Sequence, residues 1–182
     1  IKNNFDLIIM PETIFPLYLN KSEILLNILK EKSKQITIIT GSLEKNGKDY
    51  FNSTYMFKNG NMKIARKVVL VPFGEAVPLP KLLRDLINNN FYNGASDYEV
   101  AKNPTTFNIN GIKFRNAICY EATTDEIFKN IDSSYVVVTS NNAWFTPSIE
   151  PILQNLLLEY YAKKYNVIIY HSSNSSENKI IY

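Results

Sequence analysis

The sequence predicts a single α/β domain built from mixed β-sheets that are covered on both faces. Several short segments, such as Leu7-Ile8-Ile9, are apolar at consecutive positions, which is typical of strands buried on both sides of a sheet. Two Asn-Gly pairs, Asn59-Gly60 and Asn110-Gly111, predict β-hairpins and therefore antiparallel neighbours. Segments with helical spacing alternate with the strands, which favours helices packed against the sheets.

The first half of the chain is predicted to contain four strands and one helix. Residues 5–10 form a short apolar strand, and residues 22–33 form a helix with Ser22 as its N-cap. Residues 35–41 form the next strand. Residues 50–57 and 62–71 then flank the Asn59-Gly60 turn as a hairpin.

The second half is predicted to contain a second hairpin, two further strands and a long helix. The hairpin joins residues 105–109 to residues 112–119, and residues 135–139 form a β-branched strand. A helix at residues 149–165 carries several large apolar residues on one side, namely Ile152, Leu153, Leu156, Leu157 and Tyr160. Residues 167–170 form the last clear strand.

A further helix is expected between the two hairpins. It has an apolar face with charged residues opposite, and that face consists of Leu79, Leu82, Leu83, Leu86 and Ile87. This segment is either a helix packed on the core or a mobile lid that faces lipid.

Composition restricts the class of protein. The 182 residues are 45% hydrophobic with a net charge of +3, and no arginine-rich stripe supports nucleic-acid binding. One cysteine excludes an internal disulfide, and nothing in the sequence calls for a metal or an organic cofactor. No apolar run reaches the roughly 20 residues of a membrane helix. Because the chain starts without Met and both ends are apolar, we interpret residues 1–182 as one partial domain of a longer protein.

Three chemically distinct side chains lie at the edges of predicted strands. Glu12 follows the strand at residues 5–10, Lys67 directly precedes the apolar run that begins at Val68, and Cys119 ends the second hairpin. Each alone is ordinarily a solvated carboxylate, a surface lysine or a buried thiol. Together they supply the base, the charge stabiliser and the nucleophile of acyl transfer.

The order Glu, Lys, Cys resembles the nitrilase superfamily. Within it, the sequence resembles the catalytic domain of bacterial apolipoprotein N-acyltransferases over nearly its whole length. The motifs are Pro11-Glu12-Thr13, the segment from Lys67 to Glu75 with Val77-Pro78, Ile118-Cys119-Tyr120-Glu121, and Ser140-Asn141-Asn142-Ala143-Trp144-Phe145. The resemblance implies an α-β-β-α sandwich, here incomplete at both ends, carried on a membrane-embedded helical portion that this chain lacks.

The resemblance also implies a reaction. Cys119 takes a fatty acyl group from a phospholipid as a thioester, with Glu12 as general base and Lys67 and the Tyr120 N–H as oxyanion donors. The amine of diacylglyceryl-cysteine in an apolipoprotein then accepts the acyl group. The location implied is the bacterial inner membrane, with the catalytic domain on the periplasmic side.

Other residues are candidates for supporting roles. Glu121 is expected to orient Lys67 or the turn after Cys119, and Glu75 is expected to hold the loop after Lys67. The alternative for each is a surface carboxylate or a bond that only fixes a loop. Trp144 and Phe145 either line the path of the acyl chain, as substrate-binding residues, or fill the core.

Two other functions remain open at this point. A soluble amidase of the same superfamily would use the same three residues on a small carbon–nitrogen substrate. A non-catalytic binding relic of the fold would have no need of all three. His171, the only histidine, would have to serve any Cys-His mechanism, and we interpret it as structural. We expect the 182-residue chain by itself to lack activity.

Overall fold

A computed structural model describes residues 5–76, 98–145 and 147–182 of the chain. These residues form two five-stranded mixed β-sheets that pack face to face, and helices cover the outer face of each sheet. The predicted α/β class, with mixed sheets in an α-β-β-α sandwich, is confirmed. The predicted helix at Leu79–Ile87 lies outside the described residues.

The first sheet holds the N-terminal strands. They are β1 (Leu7–Ile9), β2 (Phe15–Tyr18), β3 (Thr37–Asn46), β4 (Asp49–Lys58) and β5 (Asn61–Arg66), with α1 (Glu23–Lys32) packed outside. Strand β3 pairs in parallel with β1 and β2 and antiparallel with β4, which pairs antiparallel with β5. The Asn59-Gly60 hairpin is confirmed, and both of its turn residues have positive φ angles.

The second sheet has the order β10-β9-β8-β7-β6. Its strands are β6 (Thr106–Ile109), β7 (Ile112–Ile118), β8 (Tyr135–Asn141), β9 (Ile168–Asn174) and β10 (Lys179–Ile181). The helices α2 (Asp125–Phe128) and α3 (Glu150–Tyr165) belong to the same half of the chain. Strands β7, β8 and β9 run parallel, and the two edge pairs are antiparallel, which includes the predicted Asn110-Gly111 hairpin.

The alternation of side chains along each strand divides the core into three layers. Val137 of β8 points between the sheets and clusters with Ile39 and Met56 of the first sheet. Its neighbours Val136 and Val138 point outward and cluster with Leu158 of α3. Because successive residues of a strand face opposite ways, one β-branched run serves two layers of the core.

Strand β5 is shorter than the sequence predicts, because it ends at Arg66 instead of residue 71. The backbone N–H groups of Val68 and Val69 donate to the carboxylate of Glu121, and the N–H of Val71 donates to Glu75. These bonds take the donors that a continued strand would have given to a partner strand. The chain therefore leaves the sheet after Lys67, whose own N–H still donates to the carbonyl of Asn52 in β4.

Helix α3 confirms the predicted helix and its apolar side, but that side faces away from the sheets. The exposed residues include Ile152, Leu153, Leu156, Leu157 and Tyr160. The opposite side is buried and consists of Gln154, Leu158, Tyr161 and Ala162. The helix therefore presents a buried amide, Gln154, to the interior near its N-terminus.

Candidate active site

Glu12, Lys67 and Cys119 line one cavity of about 540 Å³. Glu12 lies beyond the end of β1, Lys67 directly follows β5, and Cys119 directly follows β7. All three residues are buried, and Lys67 has no exposed surface. The volume lies in the range of about 300–1,000 Å³ that is typical of small-molecule sites. The fold thus brings together three side chains, each of which lies more than fifty positions from the next in the sequence.

Lys67 lies between two carboxylates. Its Nζ is 2.8 Å from Oε2 of Glu75 and 3.9 Å from Oε1 of Glu12. Burial lowers the pKa of Lys67, but attraction to Glu12 and Glu75 outweighs that effect, so the pKa is raised and the ammonium stays charged. The ammonium has three N–H groups, so it can pair with Glu75 and still donate to an oxyanion in the cavity.

Asn52 of β4 connects the same two carboxylates, and the sequence analysis missed it. Its Nδ2 donates to Oε1 of Glu12 and to Oε1 of Glu75, both at 2.7 Å. The other oxygen of Glu12, Oε2, accepts the backbone N–H of Asn141 at 2.7 Å. A carboxylate with two donors and a nearby ammonium is held in one orientation as an acceptor, which suits a general base.

Cys119 opens the 3-10 turn that follows β7, and it has a left-handed backbone with φ of 52°. Such a conformation costs a non-glycine residue on the order of 1–3 kcal/mol and often occurs at functional sites. Burial raises the pKa of the Cys119 thiol to about 12, with a further contribution from the charge of Glu12, while Lys67 opposes the rise. The resting group is thus a thiol, and a base must remove its proton for attack.

Glu121 ties the turn of Cys119 to the segment after Lys67. One of its oxygens accepts the N–H of Ile118 at 2.7 Å, and the other accepts those of Val68 at 2.7 Å and Val69 at 3.2 Å. Burial raises its pKa to about 7, against the opposing effects of Lys67 and of these bonds. Glu121 does not line the cavity, so its contacts are with backbone on both sides of the site.

The other candidates occupy different positions. Glu75 lines the cavity and also accepts the N–H of Val71, so it both pairs with Lys67 and holds the following loop. The side chain of Tyr120 is partly exposed and is absent from the cavity lining. Trp144 and Phe145 line the cavity, and Trp144 is 80% exposed, which places it at the mouth and not in the core.

Gly41 of β3 lies against the backbone that carries Glu12. A Cβ atom at this position would be 2.5 Å from Cα of Glu12 and 2.8 Å from N of Thr13. We expect Gly41→Ala to lower the free energy of unfolding by about 1–3 kcal/mol and to reduce activity, because the segment that bears Glu12 must move. Chemical denaturation measures the first effect, and an activity assay of the full-length protein measures the second.

Gly47 supplies the control for that variant. It occupies a hairpin turn with φ of 61°, and a Cβ there would meet no atom within 4 Å. Gly47→Ala should therefore lower stability through backbone strain while activity is retained. Equal activity losses in the two variants would contradict a specific effect of Gly41 on Glu12.

His171 is buried away from the cavity that Cys119 lines. Its Nε2 is 2.9 Å from Oγ of Ser140, and its Nδ1 is 3.3 Å from Oδ1 of Asn155. Burial, together with the positive charge of Lys179, lowers the pKa of His171 to about 4. This placement is that of a neutral histidine in a structural hydrogen-bond network.

The lowered pKa of His171 predicts acid sensitivity. The unfolded chain takes up this proton below about pH 6.5, whereas the folded protein takes it up only near pH 4, so stability falls as the pH falls through this window. Relative to a His171→Asn variant, the wild type should lose about 3 kcal/mol of unfolding free energy between pH 7 and pH 4. Urea denaturation at several pH values measures the difference. A difference that does not change with pH would contradict the assignment.

The described residues contain no cluster of three or more His, Cys, Asp or Glu side chains that could hold a metal ion. Among the same residues, no helix has both the length and the apolar character needed to cross a bilayer.

Comparison with known proteins identifies the family. The family model for carbon-nitrogen hydrolases matches residues 1–169. An apolipoprotein N-acyltransferase of Wolinella succinogenes is 49% identical over 176 residues, which are 96% of this chain and 42% of that protein. One of Helicobacter pylori is 41% identical over 177 residues, which are 96% of this chain and 41% of that protein. The resemblance expected from the motifs is confirmed, and the chain spans about two fifths of these relatives.

Solved structures show the same fold at low sequence identity. A carbon-nitrogen hydrolase superfamily protein of Xanthomonas campestris, which carries an arsenic adduct in its active site, superposes with a TM-score of 0.69 at 14% identity, over 97% of this chain and 67% of that one. An amidase of Nesterenkonia gives a TM-score of 0.65 at 12% identity, over 92% and 62% of the two chains. From its family match and its sandwich of two mixed sheets, the chain belongs to the carbon-nitrogen hydrolase family.

Proposed function

We propose that the protein that contains this chain is an apolipoprotein N-acyltransferase, and that Glu12, Lys67 and Cys119 carry its reaction. The observation that supports this most strongly is the shared cavity of a thiol, an ammonium and a carboxylate, in a chain 49% identical to a protein of that name. The acyl donor is a phospholipid, and the acceptor is the N-terminal amine of diacylglyceryl-cysteine in an apolipoprotein.

In the first half-reaction, Cys119 becomes acylated. Glu12 takes the proton of the thiol as Sγ attacks the ester carbonyl of the phospholipid, which gives a tetrahedral oxyanion. Lys67 and the backbone N–H of Tyr120 stabilise that charge. Collapse breaks the ester C–O bond, Glu12 returns the proton to the departing alkoxide, and the lysophospholipid leaves behind a thioester on Cys119.

In the second half-reaction, the acceptor amine attacks the thioester. Glu12 takes a proton from the attacking nitrogen, and the same donors stabilise the second oxyanion. Collapse breaks the C–S bond, so that the product is an amide, and the proton on Glu12 returns to the thiolate of Cys119. Each proton taken by the carboxylate is given back, so the protein is unchanged after one cycle.

The neighbouring residues support these steps in distinct ways. Asn52 and Glu75 hold Glu12 and Lys67 in place, and Glu121 fixes the backbone before the nucleophile and the segment after Lys67. Trp144 and Phe145, at the mouth, offer apolar surface to the acyl chain. We place the domain on the periplasmic side of the bacterial inner membrane, attached through segments outside this chain, with no metal, cofactor or nucleic acid in the reaction.

The alternative, a soluble amidase, is not favoured, because the relatives at 40–49% identity bear the name of the acyltransferase. The test uses the full-length protein in phospholipid vesicles with a synthetic diacylglyceryl-cysteine peptide. We expect the peptide to gain the mass of one acyl group at its amine, and lysophospholipid to form in equal amount. Hydrolysis of small amides without any gain of mass on the peptide would favour the amidase and reject the proposal.

A further inference from the structure

Gln154 is an amide on the buried side of α3, where its neighbours on the same side are Leu158, Tyr161 and Ala162. Only 1% of its surface is exposed. An amide in such a place is costly unless its donor and its acceptor are both satisfied. The partners of Gln154 therefore show what the burial of this amide achieves.

The two ends of the Gln154 amide have different partners. Its Nε2 lies 3.8 Å from Sγ of Cys119, and its Oε1 accepts a hydrogen bond of 3.2 Å from Nδ2 of Asn142. The same Nδ2 also donates to Oγ of Ser176 at 2.9 Å, and Ser176 donates to Oγ of Ser173. In this arrangement Asn142 presents its donor to the Gln154 oxygen, and the NH₂ group of Gln154 faces the sulfur.

We propose that Gln154 is a catalytic residue of this site whose amide N–H stabilises the thiolate of Cys119. This role rests on the proposed function and adds to it a donor that acts on the sulfur itself. The thiolate is formed twice in each cycle, once on attack and once as the leaving group of the second half-reaction. An N–H group that already points toward Sγ stabilises the thiolate in both steps.

The surroundings of the sulfur explain why such a donor is needed. Burial and the carboxylate of Glu12 both disfavour the thiolate, so that the pKa of Cys119 lies near 12. Lys67 and the backbone N–H of Asn141 lower this pKa in part. Both are shared with carboxylates, since the N–H also donates to Glu12 at 2.7 Å and Lys67 pairs with Glu75 and Glu12. Among the described residues, the side chain that lies within hydrogen-bonding distance of Sγ is that of Gln154.

The test measures the reactivity of the thiol in the full-length protein. Iodoacetamide modifies the thiolate, so its rate of reaction at Cys119, followed by peptide mass spectrometry from pH 7 to pH 10, reports the thiolate fraction. Gln154→Leu removes the donor at similar size, and the isosteric Gln154→Glu replaces the donor with an acceptor. We expect each variant to react about tenfold more slowly at a given pH, which moves the profile of rate against pH upward by about one pH unit.

Leu158→Ala provides the matched control, because it perturbs the same buried side of α3 one turn further along and leaves the Gln154 amide in place. Its profile should coincide with that of the wild type. If Gln154→Leu does not fold, the isosteric Gln154→Glu variant carries the test. Unchanged profiles in the Gln154 variants, or an equal shift in Leu158→Ala, would overturn the inference.

The alkylation test of Gln154 can fail or succeed independently of the acyl-transfer test of the proposed function. Alkylation needs neither phospholipid nor acceptor, so an unchanged profile rejects the role of Gln154 even where acyl transfer is observed. Conversely, a shifted profile in a protein that transfers no acyl group would support the contact with Cys119 and reject the transferase.

Discussion

Lys67→Met should slow acyl transfer strongly and destabilise the protein. The ammonium lies 2.8 Å from Glu75 and 3.9 Å from Glu12, and its removal leaves two buried carboxylates without their cation. Loss of one member of a buried ion pair typically costs about 3–5 kcal/mol of unfolding free energy. Loss of the oxyanion donor lowers the rate by about 10²–10³-fold. Denaturation and a transfer assay measure the two effects independently.

Arg66→Met is the matched control for this prediction. Arg66 directly precedes Lys67, and its guanidinium pairs with the buried Glu44 at 2.6 Å, away from the residues that line the cavity. The control should lose stability through the same kind of broken pair and keep its transfer rate. Comparable activity in the two variants would show that Lys67 acts only as a structural cation.

Glu12→Gln should reduce thioester formation by about 10²–10⁴-fold, because the substitution removes the general base. It also removes an acceptor, because both oxygens of Glu12 accept hydrogen bonds, from Asn52 and from the N–H of Asn141. The amide NH₂ of the new side chain must face one of these donors, which costs about 1–3 kcal/mol. Single-turnover measurement of acylated protein, with denaturation in parallel, tests both parts.

Glu44→Gln makes the same chemical change at another buried carboxylate of the first sheet. Glu44 is 4% exposed and pairs with Arg66, and it does not line the cavity. A loss of stability with normal thioester formation is expected for this control. If Glu12→Gln formed the thioester at the rate of Glu44→Gln, the base would have to be another group.

Local patterns predicted the strands and hairpins well because the turns are encoded by single dipeptides. Asn59-Gly60 and Asn110-Gly111 both form the expected hairpins. The hairpin between β3 and β4 was missed, although Asn46-Gly47 is the same signal, because the prediction for β3 stopped at residue 41. The end of β5 could not be predicted, since it depends on Glu121, which is distant in sequence.

The orientation of α3 shows a limit of periodicity. Its sequence contains two apolar stripes, and the more conspicuous one, with Leu153 and Leu156, faces outward. The buried stripe instead consists of Leu158, Tyr161 and Ala162 with the amide of Gln154. Spacing identifies a stripe but not the direction it faces, because that direction depends on which polar groups find partners inside.

The chemically distinctive residues of the site were found from sequence, whereas its amides were not. Glu12, Lys67 and Cys119 lie at strand ends and carry ionisable groups, so they were conspicuous in the sequence. They line one cavity, and their roles remain predictions. Asn52 lies inside a strand, where the polar run Asn52-Ser53-Thr54 was the available signal. The contact of Gln154 with Cys119 spans 35 positions, and no local pattern encodes it.

The most direct test of the account is a search for acyl-Cys119 in the full-length protein. The protein is incubated with phospholipid and no acceptor, denatured in acid and digested. The mass of the peptide that contains Cys119 is then measured by mass spectrometry. We expect that peptide to carry one fatty acyl group that hydroxylamine removes. The Glu12→Gln and Lys67→Met variants should form little of this acylated peptide. An unmodified Cys119 peptide from protein that does release lysophospholipid would contradict the central claim that this sulfur holds the acyl group.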